Sequence, residues 1–241
     1  MGEASPAQRK AVSLPAHPHS ARVRSTVRYF VHLSLTALVA CGGARGSSES
    51  PAPAEQPDAR PLAMLASQRV IVTPVHSVLS SDAAGWAAQA PRTRDALRVL
   101  DDEIAIALGD RGLKSQWIYP PDLARAARNS PTYAVDPYTI GANPLRTADI
   151  KIGARVGDPL ATQLRTMVAL QEARLVVIPV ELRYEKDKSG QGIAALKLAV
   201  IDGRLGEMRW SGTVRSDPAP LYSRAVLTSL AAHVADLITA P

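Results

Sequence analysis

Apolar residues recur along this chain in two rhythms, and the rhythms predict the elements. Arg69 to Val75 (RVIVTPV) is a short β-branched run that reads as a buried strand. Ser77 to Pro91 follows as a small-residue connection containing Trp86. Leu97, Leu100, Ile104 and Leu108 then repeat at helical spacing, which predicts a helix from Arg94 to Leu108 with Thr93 as cap and Asp95 in the first turn. Asp110-Arg111-Gly112 ends it, with Gly112 in the left-handed position. Lys114 to Tyr119 predicts a second strand, and Pro120-Pro121 opens a short helix through Arg128. Asn129 to Pro159 carries prolines and glycines but no period, and reads as an irregular insert. Leu160 to Leu170 is a helix. Leu175 to Arg183 (LVVIPVELR) is a strong strand whose Pro179 suggests an edge or a bulge. Ala194 to Ile201 and Met208 to Arg215 pair as a hairpin around Asp202 to Glu207. Asp217-Pro218 starts a final helix whose buried face is Tyr222, Val226, Leu230, His233 or Val234, and Leu237. The order is β-α-β-α, insert, α-β-β-β-α. Strands interleaved with helices and closed by a hairpin argue an α/β (α+β) fold, a mixed β-sheet with helices packed on it.

Upstream, Tyr29 to Val39 is an apolar run behind Arg22, Arg24 and Arg28. At about 11 residues it has the length of a signal-peptide core and is too short to span a bilayer. It ends in Leu38-Val39-Ala40-Cys41, which resembles a bacterial lipobox, with Leu38, Val39 and Ala40 as the signal-peptidase recognition residues and Cys41 as the lipidated residue. The competing readings are an ordinary secretory signal with an incidental cysteine, or a buried apolar helix. Cys41 is the only cysteine, which favours the lipobox. The stretch before Arg22 is long and polar, so a start at Val23 or Val27 would give a more usual leader. Gly42 to about Pro61 is rich in Gly, Ser, Pro and acids, with little to bury, and reads as a flexible tether. Fully extended it would reach roughly 70–90 Å; as a coil it would span about 25–30 Å. The expected organisation is a signal peptide over 1–40, a tether over 41–63 and a single domain over 64–241.

The net charge of +6 changes meaning once the leader is set aside. Of 28 Lys and Arg residues, five (Arg9, Lys10, Arg22, Arg24, Arg28) precede Cys41, as does one of the 22 acids, Glu3, so the charge beyond falls to +2. Basic and acidic residues alternate there, with no clustered basic footprint, which argues against nucleic acid.

The domain offers little chemistry to the eye. His76 and His233 lie in different elements without acids or cysteine at ligand spacing, so no metal is expected. Asp101-Asp102-Glu103 reads as a solvated helix face, or else a patch for a basic partner. Neither a phosphate loop, a dinucleotide fingerprint nor a nucleophile elbow is present. No catalytic residue and no cofactor are expected. Two stretches suit partner contact instead: the insert, with Tyr133, Tyr138 and Ile140, and Arg183 to Lys188, read as a charged hairpin tip presenting Arg183 and Tyr184.

Three segments resemble the N-terminal domain of TolB and its relatives, the lipoproteins LpoB and CsgG. They are RVIVTPV with the helix that follows, Ala173 to Ile178, and Lys197 to Val214, where Asp202, Gly206, Glu207 and Trp210 match a family hairpin and Leu205 replaces a common Thr. These residues make a folding signature: Asp202 bonds turn amides and Trp210 packs on the sheet. The resemblance implies a TolB-N-like order and a non-enzymatic, protein-binding envelope lipoprotein. By similarity to proteobacterial sorting, Gly42 favours the outer membrane, with the domain facing the periplasm. Likeness to LpoB implies a peptidoglycan synthase as partner, although the tether is short for reaching through a cell wall. The alternative is an oligomeric CsgG-like secretion component, whose membrane strands the insert does not supply; the oligomeric state stays open.

Overall fold

A computed structural model describes residues 60–86, 88–90, 93–147 and 150–240. The lipobox Leu38 to Cys41 and the tether up to residue 59 lie outside the described residues. The strands are β1 (Val70–Val72), β2 (Val78–Asp82), β3 (Trp117–Ile118), β4 (Leu175–Lys186), β5 (Gly192–Asp202) and β6 (Glu207–Arg215). The helices are α1 (Thr93–Leu108), α2 (Pro120–Asn129), α3 (Pro144–Thr147), α4 (Leu160–Leu170) and α5 (Arg224–Asp236). The strands form one mixed sheet in the order β3-β1-β4-β5-β6, with β2 following β1 along the same side of β4. β1, β2 and β3 run parallel to their partners; β4, β5 and β6 form an antiparallel meander.

Strand alternation sends successive residues to opposite faces, and each face has its own core. Val70, Val72, Leu175, Val177, Leu196, Leu198 and Val200 pack under α1 and α5. Ile71, Val176, Ile178, Ala199 and Ile201 pack under α4, together with Leu123 of α2. The fold is therefore helices on both sides of a sheet. The parity of β4 reverses midway. Val176, Ile178 and Val180 face the α4 side, but Leu182 and Tyr184 face the α1 side. A bulge between Pro179 and Glu181 in the β4–β5 register inserts the extra residue.

Several expectations need correction. Val78–Asp82 is a strand, although the segment was expected to be a connection; its Ser-Ser-Asp end lacks β propensity, and pairing with β4 creates it. Pro179 sits in a central strand. Its carbonyl accepts the His76 amide at 3.1 Å, where the chain between β1 and β2 leaves the ladder, so no neighbouring strand needs a proline N–H there. The bulge half of that expectation holds. The last helix begins at Arg224, later than Asp217-Pro218, because residues 216–219 first bond back to β5 through Ser216 N to Ala194 O and Ala219 N to Gly192 O. The insert also contributes to the core: Ile140, Ala142, Leu145 and Val156 are buried on the α4 side.

The charged tip expected at 183–188 is mostly strand, since β4 runs to Lys186 and the turn begins at Asp187. Tyr184 is 8 % exposed. It forms a mutual edge-to-face triad with Trp86 and Tyr222, with ring centroids 5.7–5.8 Å apart. Asp202 is wholly buried and accepts the amides of Arg204 and Leu205 and the Arg174 guanidinium. Burial alone would raise its carboxyl, but these donors hold it below the usual range.

Candidate functional site

β1 connects through α1 on one face to β3, and the chain returns through α4 on the other face to β4. That reversal leaves a crevice beyond the carboxyl ends of parallel strands, the usual place for a site in such sheets. A cleft of about 650 Å³ lies there, lined by Val75, His76, Thr93, Arg94, Leu97, Arg98, Asp101 and Tyr138. It joins a wider groove of about 850 Å³ along α1, which shares Arg98, Asp101 and Tyr138 and reaches Ile106, Lys114, Pro120 and Arg224.

The segment between β1 and β2 is pinned from both sides. Thr73 N bonds Val177 O at 3.0 Å, and Val75 N donates to Asp101 Oδ1 at 2.7 Å. The His76 ring meets Thr73 Oγ1 through Nε2 at 3.2 Å. Burial depresses the His76 imidazole to about 4. Burial likewise pushes the Asp101 carboxyl up to about 7, reinforced by the Asp102 charge and opposed by the Val75 amide. The cleft thus holds a neutral imidazole and a carboxyl poised to titrate near neutrality. Tyr138, in the short turn Pro137–Thr139, is 52 % exposed at the mouth. Its hydroxyl is raised by burial and by the charge of Asp101.

The acidic run 101–103 is not the solvated face expected. Asp102 is exposed, but Asp101 is half-buried and Glu103 is buried, bonded to Arg224 at 2.6 Å. The helical pattern carried this signal. Asp101 falls between Leu97 and Ile104 on the apolar stripe, and Glu103 falls beside Leu100. His76 gave no sequence signal beyond its place after a strand.

Of the residues expected to contact a partner, Tyr138 joins this cleft. Tyr133 is 75 % exposed in the turn after α2 and does not line it. Arg183 lies on the sheet, bonded through Nε to Glu181 at 2.6 Å, and Tyr184 is internal. Tyr138 is therefore not grouped with Arg183 and Tyr184. Cys41, Leu38, Val39 and Ala40 lie outside the described residues. Among the described residues no group of three His, Cys, Asp or Glu could hold a metal, and no helix is long and apolar enough to cross a membrane. The cleft offers guanidinium, carboxyl and phenol groups over an apolar floor, a set suited to recognising a polar surface with an apolar anchor.

No family model and no curated protein matches the chain. Solved structures give distant likenesses. The LpoB C-terminal domain from Salmonella enterica is 15 % identical, with 65 % of this chain and 93 % of that one covered and a TM-score of 0.35. Lipoprotein GNA1162 from Neisseria meningitidis is 15 % identical over 68 % and 91 %, with a TM-score of 0.32. The PelC dodecamer from Paraburkholderia phytofirmans is 16 % identical over 72 % and 89 %, with a TM-score of 0.36. Likeness at this level bears on neither activity nor partner; the fold rests on the sheet order and register above.

Proposed function

We propose that this chain is a lipid-anchored bacterial envelope protein whose domain binds a protein partner and carries out no catalysis. In this reading residues 1–40 are a signal peptide, Cys41 carries the lipid, residues 41–63 tether the domain to the outer membrane, and residues 64–241 face the periplasm. It needs no cofactor and no nucleic acid. The observation that carries the binding role is the groove along α1. Tyr138 and Ile106, both 52 % exposed, stand in it among Arg98, Asp102, Lys114 and Arg224. Aromatic and apolar anchors ringed by mixed charge are the composition of a protein-recognition surface. The sequence resemblance to LpoB makes a peptidoglycan synthase the first partner to test.

The test is crosslinking in intact envelopes with the tagged full chain. Capture of a peptidoglycan synthase is expected, and Tyr138→Ala should weaken it by about tenfold or more, as for an interface anchor. Because Tyr138 is exposed, thermal unfolding of that variant should match the parent. Capture unchanged by Tyr138→Ala and by replacement of the exposed Tyr133 would remove the insert from the interface. The alternative is the oligomeric CsgG-like component, which draws on β6 ending the sheet as an edge strand beyond Met208, where residues 153–155 no longer pair with it. A ring-sized mass by light scattering would favour it over the partner-binding monomer.

A further inference from the structure

On the α4 side of the sheet, toward the end where Thr213 and Arg215 are exposed, the register builds a basic notch. Arg183 of β4 pairs with Ala195 of β5, and Ala195 pairs with Arg215 of β6. These three residues form one row across the sheet. The next row is Glu181, Lys197 and Thr213. Adjacent strands are about 4.8 Å apart, so Arg183 and Arg215 stand about 10 Å from each other across a residue with only a methyl group. The resulting notch, about 230 Å³, is lined by Arg183, Lys197, Arg215, Thr213, Ala195 and one carboxylate, Glu185.

Its charges are held in place from below. Glu181, whose side chain is 3 % exposed, accepts Arg146 Nε on Oε1 at 2.7 Å and Arg183 Nε on Oε2 at 2.6 Å. Among the described residues Arg183 is held through Nε, and its terminal nitrogens have no acceptor. Lys197 Nζ donates to the Arg146 carbonyl at 3.2 Å. Among the described residues the Arg215 guanidinium has neither an ion-pair nor a hydrogen-bond partner. The bulge of β4 brings this about, because it turns Glu181 and Arg183 to the α4 side while Leu182 and Tyr184 enter the other core.

We propose that this notch is a binding site for an oxyanion, a phosphate or carboxylate group gripped between Arg183 and Arg215, with Lys197 and the Thr213 hydroxyl as further donors. Planar guanidinium forks match both anions, and charge-assisted bonds to them are the stronger kind. The volume suits one such group presented by a larger partner and is smaller than the roughly 300 Å³ where small-molecule pockets begin. The site is separate from the α1 groove and does not depend on it.

The test is NMR titration of the full chain in detergent at constant ionic strength, with inorganic phosphate in one arm and succinate in the other. Saturating shifts are expected at the amides of Ala195, Thr213 and Arg215. Arg215→Gln, which breaks no internal bond, should weaken binding at least about fivefold. Arg165→Gln on exposed α4 serves as the charge control and should leave affinity unchanged. Saturation by phosphate alone points to a phosphoryl group as the natural ligand, and saturation by succinate alone to an acidic side chain; either supports the site. Non-saturating drift in both arms, or equal affinity in the two variants, overturns it.

Discussion

Asp101 and His76 flank the same cleft and respond to pH in opposite senses. The Asp101 carboxyl is raised from 3.8 to about 7, so its protonated form stabilises the fold fully below 3.8, and that contribution is lost as pH rises through 7. The His76 imidazole is lowered from 6.5 to about 4, so its neutral form stabilises fully above 6.5, and that contribution is lost as pH falls through 4. Between about pH 4 and 6.5 the two slopes oppose one another, and the parent should show a flat profile there. Asp101→Asn keeps an acceptor for the Val75 amide and removes the titration, so stability should then climb from pH 4 to 6.5. His76→Gln should do the reverse and leave stability falling toward pH 7. Urea midpoints at about pH 4, 5.5 and 7 check both signs. Matching profiles in parent and variants would show that neither group is buried as described.

At the scale of elements, the aromatic triad ties three distant stretches together: the β2–α1 connection through Trp86, β4 through Tyr184 and the lead-in to α5 through Tyr222. The close fit is to Gly192 at the start of β5, where an added methyl would fall on the Trp86 indole. Gly192→Ala should therefore cost about 1–3 kcal/mol through overpacking, read by urea unfolding with tryptophan fluorescence. Wild-type stability in that variant would mean that the indole yields easily. This contact was invisible in the sequence because it joins residues far apart through a missing side chain. Elements that carry their own pattern were readable: β4 as an apolar run, α1 as a stripe, β5 and β6 as a hairpin around Asp202. β2 was not, since Val-Leu-Ser-Ser-Asp becomes a strand only beside β4. Ile140, Ala142, Leu145 and Val156 reach the core as single residues between prolines and glycines, without a period to betray them. In the cleft, Tyr138 stood out as an aromatic in a polar loop, whereas Asp101 was hidden by its acidic neighbours.

At the scale of the whole molecule, the proposed anchor makes a clean expectation. Lipid attachment brings two or more acyl chains, each contributing about 0.8 kcal/mol per buried CH₂, so a Cys41-lipidated chain should fractionate with membranes. Cys41→Ser should abolish incorporation of labelled fatty acid without changing the thermal unfolding of the domain, and label retained in that variant would refute the lipobox reading. The bulge in β4 has another consequence at this scale. Because β4 changes sides once, its residues serve two cores and a charged notch in a fixed count. Removing a residue of β4 ahead of the bulge would send the residues that follow it to the wrong face, whereas removing Val180 or Glu181 would restore a regular ladder and keep Leu182 and Tyr184 on the α1 side. The turn after Lys186 has no such constraint. Length differences among chains that share this architecture should collect at 187–191 or at the bulge, so a gap elsewhere inside β4 would mark a misalignment or a different fold.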